Sequence, residues 1–307
     1  MDNAVCVVIT AWNQAAKTVA CLESVFNQTY ANRHVVLVNN GSRPGFEQII
    51  RDPFPQVHII SNQQNLGFAG GYNVGLRYGM EQGFPCFLLL NNDTLLAPDC
   101  LERLVAATTR QPDIGLVTAK VYYSGEPERV WTVGNQIHPL LLEARAGGEG
   151  ELDEGQWSED REIAFAPLAS VLISRKLLED VGFLDEEFFL YYEDMDFCRR
   201  VKTSGFQLYL AAEAHVWHDV AASSGGSDSP SERYWMAQSS GRFFRKHGGW
   251  RLPLIVPYRV GSAVKMVAKL LWQRRWRAAA AYLLGLSIGW TTGRAVTAPP
   301  RWVSHER

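Results

Sequence analysis

Four short apolar runs, residues 5–10, 35–38, 57–60 and 87–90, alternate with longer helix-like stretches at 15–26, 46–51 and 71–80. The runs are rich in Val, Ile and Leu and end in turn residues, which predicts strands buried on both faces. A β-α-β-α-β-α-β order closes most simply as a mostly parallel sheet with helices on both sides, an α/β, Rossmann-like fold. In such sheets ligands bind beyond the carboxyl ends of the strands, so the turns after each run are where chemistry is to be sought. With 307 residues, 47% of them hydrophobic, the chain can bury one large core. We expect a main domain over residues 1–248 and a helical tail over 249–307.

Beyond the fourth run, the pattern predicts a helix over 99–110, strands over 114–121, 164–173 and 206–210, and helices over 176–181 and 193–203. Residues 147–160, rich in Gly, Glu and Asp, read as a solvated loop. The Ser-Ser-Gly-Gly-Ser stretch within 221–230 reads as a mobile loop, a candidate lid. Five scattered cysteines, Cys6, Cys21, Cys86, Cys100 and Cys198, sit mostly among apolar neighbours, which fits reduced core thiols and a cytoplasmic setting. Residues 1–9 carry neither a basic stretch nor a cleavage-like site, so no signal peptide is expected.

The net charge of −2 conceals an asymmetry. Residues 242–307 hold thirteen Lys or Arg against the single acid Glu306, which leaves about −14 on residues 1–241. Within that tail Val260, Val264, Val267 and Leu271 recur at helical spacing, with Lys265, Lys269 and Gln273 on another side. Trp272, Arg274, Arg275, Trp276 and Arg277 follow, a mixture suited to lipid headgroups. The apolar segment 278–290 is shorter than the roughly 20 residues a span requires. The tail is therefore expected to lie on the inner face of the cell membrane as a peripheral anchor, and no nucleic-acid partner is expected. Docking of the same apolar face onto the protein's own body is the competing reading.

Four constellations carry candidate chemistry. Leu88-Leu89-Leu90-Asn91-Asn92-Asp93-Thr94 sets a carboxylate at the end of an interior strand, where it is costly unless it meets a cation or water. Magnesium or manganese, held by one or two carboxylates and substrate phosphates, would satisfy it; so would a turn-capping role. Tyr191-Tyr192-Glu193-Asp194-Met195-Asp196 places three acids at a helix start behind an aromatic wall. The helix dipole explains acids there, but the wall would also raise a carboxylate's proton affinity and make it a better base. In Ala214-His215-Val216-Trp217-His218-Asp219, strand alternation keeps the two histidines on opposite faces. Asn65-Leu66-Gly67-Phe68-Ala69-Gly70-Gly71-Tyr72-Asn73 opens a helix with glycines that could bring backbone N–H groups to an anion, although the spacing is not that of a dinucleotide fingerprint.

Taken in order, Thr10-Ala11-Trp12-Asn13, Val38-Asn39-Asn40-Gly41-Ser42, the segment 65–73, Asn91-Asn92-Asp93-Thr94, the segment 191–200 and Val216-Trp217-His218 resemble the family-2 glycosyltransferases of GT-A fold, and among them the bacterial rhamnosyltransferase-like branch. The resemblance runs from Val5 to about Gly248. It implies an inverting, metal-dependent enzyme that moves a sugar from a nucleoside diphosphate donor to a hydroxyl of a glycan or lipid-linked acceptor in cell-surface polysaccharide synthesis. By the same resemblance, Asp93 and His218 hold Mg2+ or Mn2+ and Asp194 is the general base. Thr10, Asn13, Asn39, Asn65, Gly67, Gly70, Asn73 and Asn92 contact the donor. The implied donor sugar is rhamnose or another deoxysugar.

Two positions depart from the family pattern. Asn39 stands where an Asp commonly faces the base ring; its amide oxygen still accepts a hydrogen bond, but without charge. Leu168 lies where a small Gly is usual on the acceptor side, so the acceptor pocket is expected to be reshaped. A transferase using a UDP- or GDP-sugar and a catalytically idle scaffold are the alternatives. The second would be expected to lack the metal acid or the base, and this chain retains both.

Overall fold

The computed structural model describes residues 3–145, 147–220, 228–292, 298–300 and 302–303. Strands β1 (Val5–Ala11), β2 (Arg33–Asn39), β3 (His58–Ser61) and β4 (Cys86–Asn91) alternate with helices α1 (Ala15–Phe26), α2 (Phe46–Arg51) and α3 (Gly67–Glu81). Then come β5 (Thr94–Leu96), α4 (Cys100–Thr108), β6 (Ile114–Tyr123), β7 (Glu126–Thr132), β8 (Gln136–Ile137), β9 (Ala144–Arg145), β10 (Arg161–Ile163) and β11 (Ser170–Ser174). The remainder is α5 (Arg175–Val181), α6 (Glu193–Thr203), β12 (Gln207–His218), α7 (Pro230–His247), a 3-10 turn (Gly249–Arg251), α8 (Leu252–Trp272) and α9 (Trp276–Thr291).

The main sheet runs β10-β12-β6-β11-β4-β1-β2-β3, with β5 added to β12 and β7 to β6. Strands β3, β2, β1 and β4 are mutually parallel, and β11 is antiparallel to both of its neighbours. Alternate residues of the strands face two separate cores. Val7, Ile9, Leu88 and Leu90 pack with Cys21, Leu22 and Val25 of α1 and Leu104 of α4. Cys6, Val8, Phe87 and Leu89 pack with Leu76 of α3 and Phe197 and Val201 of α6. This two-sided burial is why the strands read as continuous apolar runs. From β1 the chain moves outward through β2 and β3, then returns across β1 to β4. The crevice at the carboxyl ends of β1 and β4 is thus the switch point where α/β sheets bind ligands.

Helix α3 lies unusually close to this part of the sheet because its inner face is glycine. A Cβ on Gly75 would stand 2.4 Å from Cγ1 of Val8, and one on Gly71 2.5 Å from Cγ2 of Thr10. The helix begins at Gly67, four residues earlier than the periodicity suggests.

The expected strand over 164–173 is paired as a strand only from Ser170. Upstream, the N–H groups of Ala164 and Phe165 both turn to the carbonyl of Asn135, and Pro167 has no N–H to give. The strand expected over 206–210 instead continues to His218, because β6 pairs with it across an irregularity between Ala211 and His215. Tertiary pairing here overrides the weak strand preference of Ala211-Ala212-Glu213-Ala214. Residues 221–227 of the candidate lid lie outside the described residues.

The two helices of the tail differ in how far they pack on the body. Helix α9 docks on α7 backbone to backbone: a Cβ on Gly285 would lie 2.3 Å from the carbonyl oxygen of Tyr234, and one on Gly289 2.2 Å from that of Gln238. Helix α8 buries only Ile255 and Leu270, and leaves Val260 and Val264 58% and 64% exposed.

Overpacking costs about 1–3 kcal/mol, whereas adding a methyl at an exposed helical glycine gains about 0.5–1 kcal/mol. Gly75→Ala is therefore expected to lower the thermal midpoint, and Gly261→Ala, which meets nothing within 4 Å, to leave it unchanged or raise it. Equal midpoints for Gly75→Ala and wild type would mean that α3 does not sit as close as described.

Candidate active site

The turn after β4 carries Asn92 and Asp93, and the chain then enters β5, which pairs antiparallel with the end of β12 so that Thr94 faces His218. The N–H of Asp219 donates to the carbonyl of Asp93 at 3.0 Å. This pairing sets His218 Nε2 3.2 Å from Asp93 Oδ1, with side chains 9% and 6% exposed. The Asn91 amide nitrogen lies 3.4 Å from the same Nε2, and its oxygen accepts from the Tyr72 hydroxyl at 3.0 Å. His218 Nδ1 is buried and meets no partner among the described residues, and Trp131 stands edge-on to the imidazole with ring centres 4.8 Å apart. A cleft of about 300 Å³ opens here, lined by Tyr123, Glu126, His218 and Asp219. Lys17 of α1 reaches its edge, 2.6 Å from Asp219.

Among the described residues no group of three or more His, Cys, Asp or Glu converges as a complete cation cage. A pair consisting of one carboxylate oxygen and one imidazole nitrogen does fit a divalent ion that takes its other ligands from a diphosphate and water. The second histidine plays no part in it: His215 packs edge-on against Tyr122 at 5.5 Å, as alternation along the strand requires.

At the start of α6, Tyr191 and Tyr192 both adopt left-handed backbone, with φ of 68° and 65°. Two such residues in succession are costly for non-glycine side chains and are held only by strong surrounding contacts. They aim three carboxylates into three different environments. Asp194 keeps a partial opening to solvent. Burial nevertheless raises it to about 6, against opposing hydrogen bonds from the N–H groups of Met195 and of Asp194 itself. Glu193 is buried, and burial together with the Asp194 charge pushes it well above the usual carboxylate range. Its Oε2 meets no partner among the described residues. Burial also works to raise Asp196, but hydrogen bonds from His247 and Lys246, both at 2.7 Å, and the Arg200 ion pair at 2.8 Å hold it well below that range.

The residues expected to contact the donor separate into two groups. Thr10 ends β1 at the crevice with its hydroxyl buried and unpartnered among the described residues. Asn13, in left-handed backbone, donates its N–H to Ser42 Oγ at 2.7 Å and accepts from the N–H of Arg43. Asn39 gives its amide to Glu47 at 2.8 Å and accepts from the N–H of Ser42 at 2.9 Å, which leaves one oxygen lone pair. The Asn65 oxygen accepts from Asn40 and from the N–H of Gly67, while its amide nitrogen donates no described hydrogen bond.

The other group turns inward. Asn92 is buried and donates to Thr18 of α1 at 3.0 Å. Asn73, 1% exposed, exchanges hydrogen bonds with the backbone of Leu184 in both directions and donates to Glu186. Gly70 is buried within α3, where a Cβ would meet that of Leu66 at 2.8 Å. The expected anion cradle is filled by the protein itself: the N–H groups of Leu66, Gly67 and Phe68 go to Asn40, Asn65 and the carbonyl of Phe189. Gly67, Gly70, Asn73 and Asn92 thus each brace the fold through these contacts. Sequence reasoning passed over Asn40, whose buried amide organises this loop, and Tyr72 and Asn91, which connect it to His218. All three stood inside the quoted motifs; Trp131 carried no such signal.

Residues 6–182, more than half of the chain, match Glycosyl transferase family 2. The chain belongs to that family. It is 21% identical over 266 residues to a dTDP-rhamnosyl transferase of Shigella flexneri, covering 84% of this chain and 85% of that protein. It is 26% identical over 246 residues to an N-acetylglucosaminyl-diphospho-decaprenol L-rhamnosyltransferase of Mycobacterium tuberculosis, covering 72% and 78%. Among solved structures it resembles a mannosyltransferase from Pyrobaculum calidifontis in complex with GDP-Man and Mn2+, at a TM-score of 0.55 and 16% identity over 93% of this chain and 86% of that one. It also resembles GalNAc-T7 with UDP, GalNAc and Mn2+, at a TM-score of 0.56 and 13% identity, covering 70% of this chain and 43% of that longer one. This glycosyltransferase has the GT-A architecture and is similar to proteins named as rhamnosyltransferases.

The two outer environments in α6 make opposite predictions. Asp194 binds its proton more tightly folded than unfolded, so its ionisation costs stability as pH rises from about 4 past 6. Asp194→Asn is expected to unfold at a higher temperature than wild type at pH 8, with the gap closing toward pH 4. Asp196→Asn removes the buried carboxylate that Arg200, Lys246 and His247 share, while Lys246 keeps Asp185, and is expected to lose about 1–3 kcal/mol at neutral pH. A less stable Asp194→Asn at pH 8 would contradict this assignment of environments.

Proposed function

We propose that this glycosyltransferase moves rhamnose or a related deoxysugar from a nucleoside diphosphate to a hydroxyl of a glycan or lipid-linked acceptor, with inversion, during assembly of a cell-surface polysaccharide. The observation that carries the reading is Asp194, a carboxylate whose burial moves its proton affinity toward neutral pH at the mouth of a strained turn. General bases work best with a pKa near the working pH. Asp194 would take the proton from the acceptor hydroxyl as that oxygen attacks the anomeric carbon from the face opposite the diphosphate. Glu193, kept neutral beside it, would leave Asp194 as the ionised member of the pair, a division of labour set by environment. Thr10, Asn13, Asn39 and Asn65 would hold the nucleoside and sugar. Asp93 and His218 would hold Mg2+ or Mn2+, which when bound offsets negative charge on the leaving diphosphate. The hydrogen bond from Tyr72 to Asn91 would keep that amide turned toward His218.

The assay is a panel of dTDP-, UDP- and GDP-sugars with Mg2+ or Mn2+, scored by diphosphate release and by the anomeric configuration of the product. Asp194→Asn should lose roughly 10²–10⁴-fold in turnover while binding the nucleotide as wild type does. Turnover equal to wild type would remove Asp194 from the role of base, and a product of retained configuration would remove the inverting mechanism.

We further propose that α8 rests on an anionic phospholipid surface. Val256, Val260, Val264 and Leu271 lie exposed at helical spacing along one side of the helix, with Trp272 exposed at its end, and residues 249–292 contain no acid to set against Arg251, Lys265, Arg274 and Arg277. Among the described residues no helix is long and apolar enough to cross a membrane. Wild type should float with phosphatidylglycerol vesicles and not with phosphatidylcholine vesicles, and a Val264→Ser, Trp272→Ser double variant should remain in the pellet fraction. Equal flotation of both proteins, or a dimer that the double variant dissolves, would assign this face to something other than lipid.

A further inference from the structure

Next to the face of α6 that presents Asp194 lies a second cavity, of about 250 Å³, between α6, α7 and the chain around β8. Ile137, Phe165, Met195 and Phe243 supply an apolar interior, while Arg199 and Lys202 supply the polar part. Lys202 is already engaged, 2.6 Å from Glu162. Arg199 is not: among the described residues its guanidinium meets no carboxylate and donates no hydrogen bond. It is partly buried, and burial lowers its proton affinity, assisted by the charge of Arg251. Arg251 in turn donates to the carbonyl of Pro139 at 2.9 Å and stacks 4.7 Å over Trp250, again without an acid. A guanidinium without an acid at the wall of an apolar cavity is an arrangement that an anion would relieve. Trp250 is 69% exposed, and Arg251 adjoins the first residue of α8.

We propose that this cavity binds a phosphate-bearing amphiphile, with the phosphate on Arg199 and the adjoining carbons in the apolar interior. Ordinary small-molecule sites run to ~300–1,000 Å³, so this one takes only the head end of a chain and leaves the rest to the surface that α8 presents. The inference rests on the glycosyltransferase reading in one respect: the amphiphile is the anchor of the acceptor. Anchoring beside α6 would hold the acceptor while its terminal hydroxyl reaches Asp194.

The probe is farnesyl diphosphate, titrated into the full chain and followed by calorimetry, with inorganic diphosphate and farnesol as separate arms. Farnesyl diphosphate should bind at least tenfold more tightly than either half alone. Arg199→Gln should weaken it by tenfold or more, and Ala164→Phe, which fills the cavity without touching the charge, should do the same. Both variants should bind dTDP as wild type does. Equal affinity of wild type and Arg199→Gln for farnesyl diphosphate would overturn the proposal, as would inorganic diphosphate binding as tightly as the amphiphile. Absence of dTDP binding in every protein would overturn the nucleotide-sugar reading instead, and the farnesyl diphosphate comparison would stand on its own.

Discussion

Three residues of β5 pair with the last three of β12, and the candidate metal site depends on that short antiparallel ladder. Asp93 comes from the parallel half of the sheet and His218 from the end of the antiparallel half, so only the match of Thr94 with His218 brings them together. A slip of one residue would turn His218 to the opposite face. The register is pinned from outside the ladder by the Trp217 indole, which donates to the carbonyl of Pro127, and by the N–H of Asp219, which donates to the carbonyl of Asp93. Lys17, paired with Asp219, joins α1 to the same corner.

The carboxylates of α6 have a separate support. Helix α7 grips the segment that leads into them at successive points: Ser239 donates to the carbonyl of Leu190, Arg242 to that of Glu187, and Lys246 bridges Asp185 and Asp196. Asp196 is thus a fastening between α6 and α7, and its cations pair with neither Asp194 nor Glu193. Helix α7 is in turn packed backbone to backbone against α9. The tail therefore reaches the candidate active site through two helix contacts, and what stabilises α9 also helps to fix the strained pair Tyr191 and Tyr192.

The first half of the sheet was legible because strands buried on both faces are written as unbroken apolar runs, and α1, α2 and α6 begin and end where the pattern placed them. Asp93, Asp194 and His218 were legible through ordered motifs, but the partners that give them their environments were not. Nothing in residues 193–196 distinguishes the acid that meets Lys246 and His247 from the acid that meets none, because those partners lie some fifty positions away. The glycines of the segment 65–73 pointed to an anion, and the structure uses them to let α3 approach β1 while Asn40, Asn65 and the Phe189 carbonyl take the N–H groups of residues 66–68. Composition signals close backbone approach without saying whether ligand or strand is what approaches. In the tail, helical periodicity found α8 correctly, yet only packing could show that α9 takes the docking role and leaves the α8 face open.

The most direct test of the account is diffraction from crystals grown with dTDP and Mn2+, with anomalous signal collected at the manganese edge. The account predicts one strong peak within about 2–2.5 Å of both the Asp93 carboxylate and His218 Nε2, also ligated by the diphosphate. A manganese ion held by the diphosphate with neither side chain coordinated, or a diphosphate bound away from the ends of β1 and β4, would contradict it.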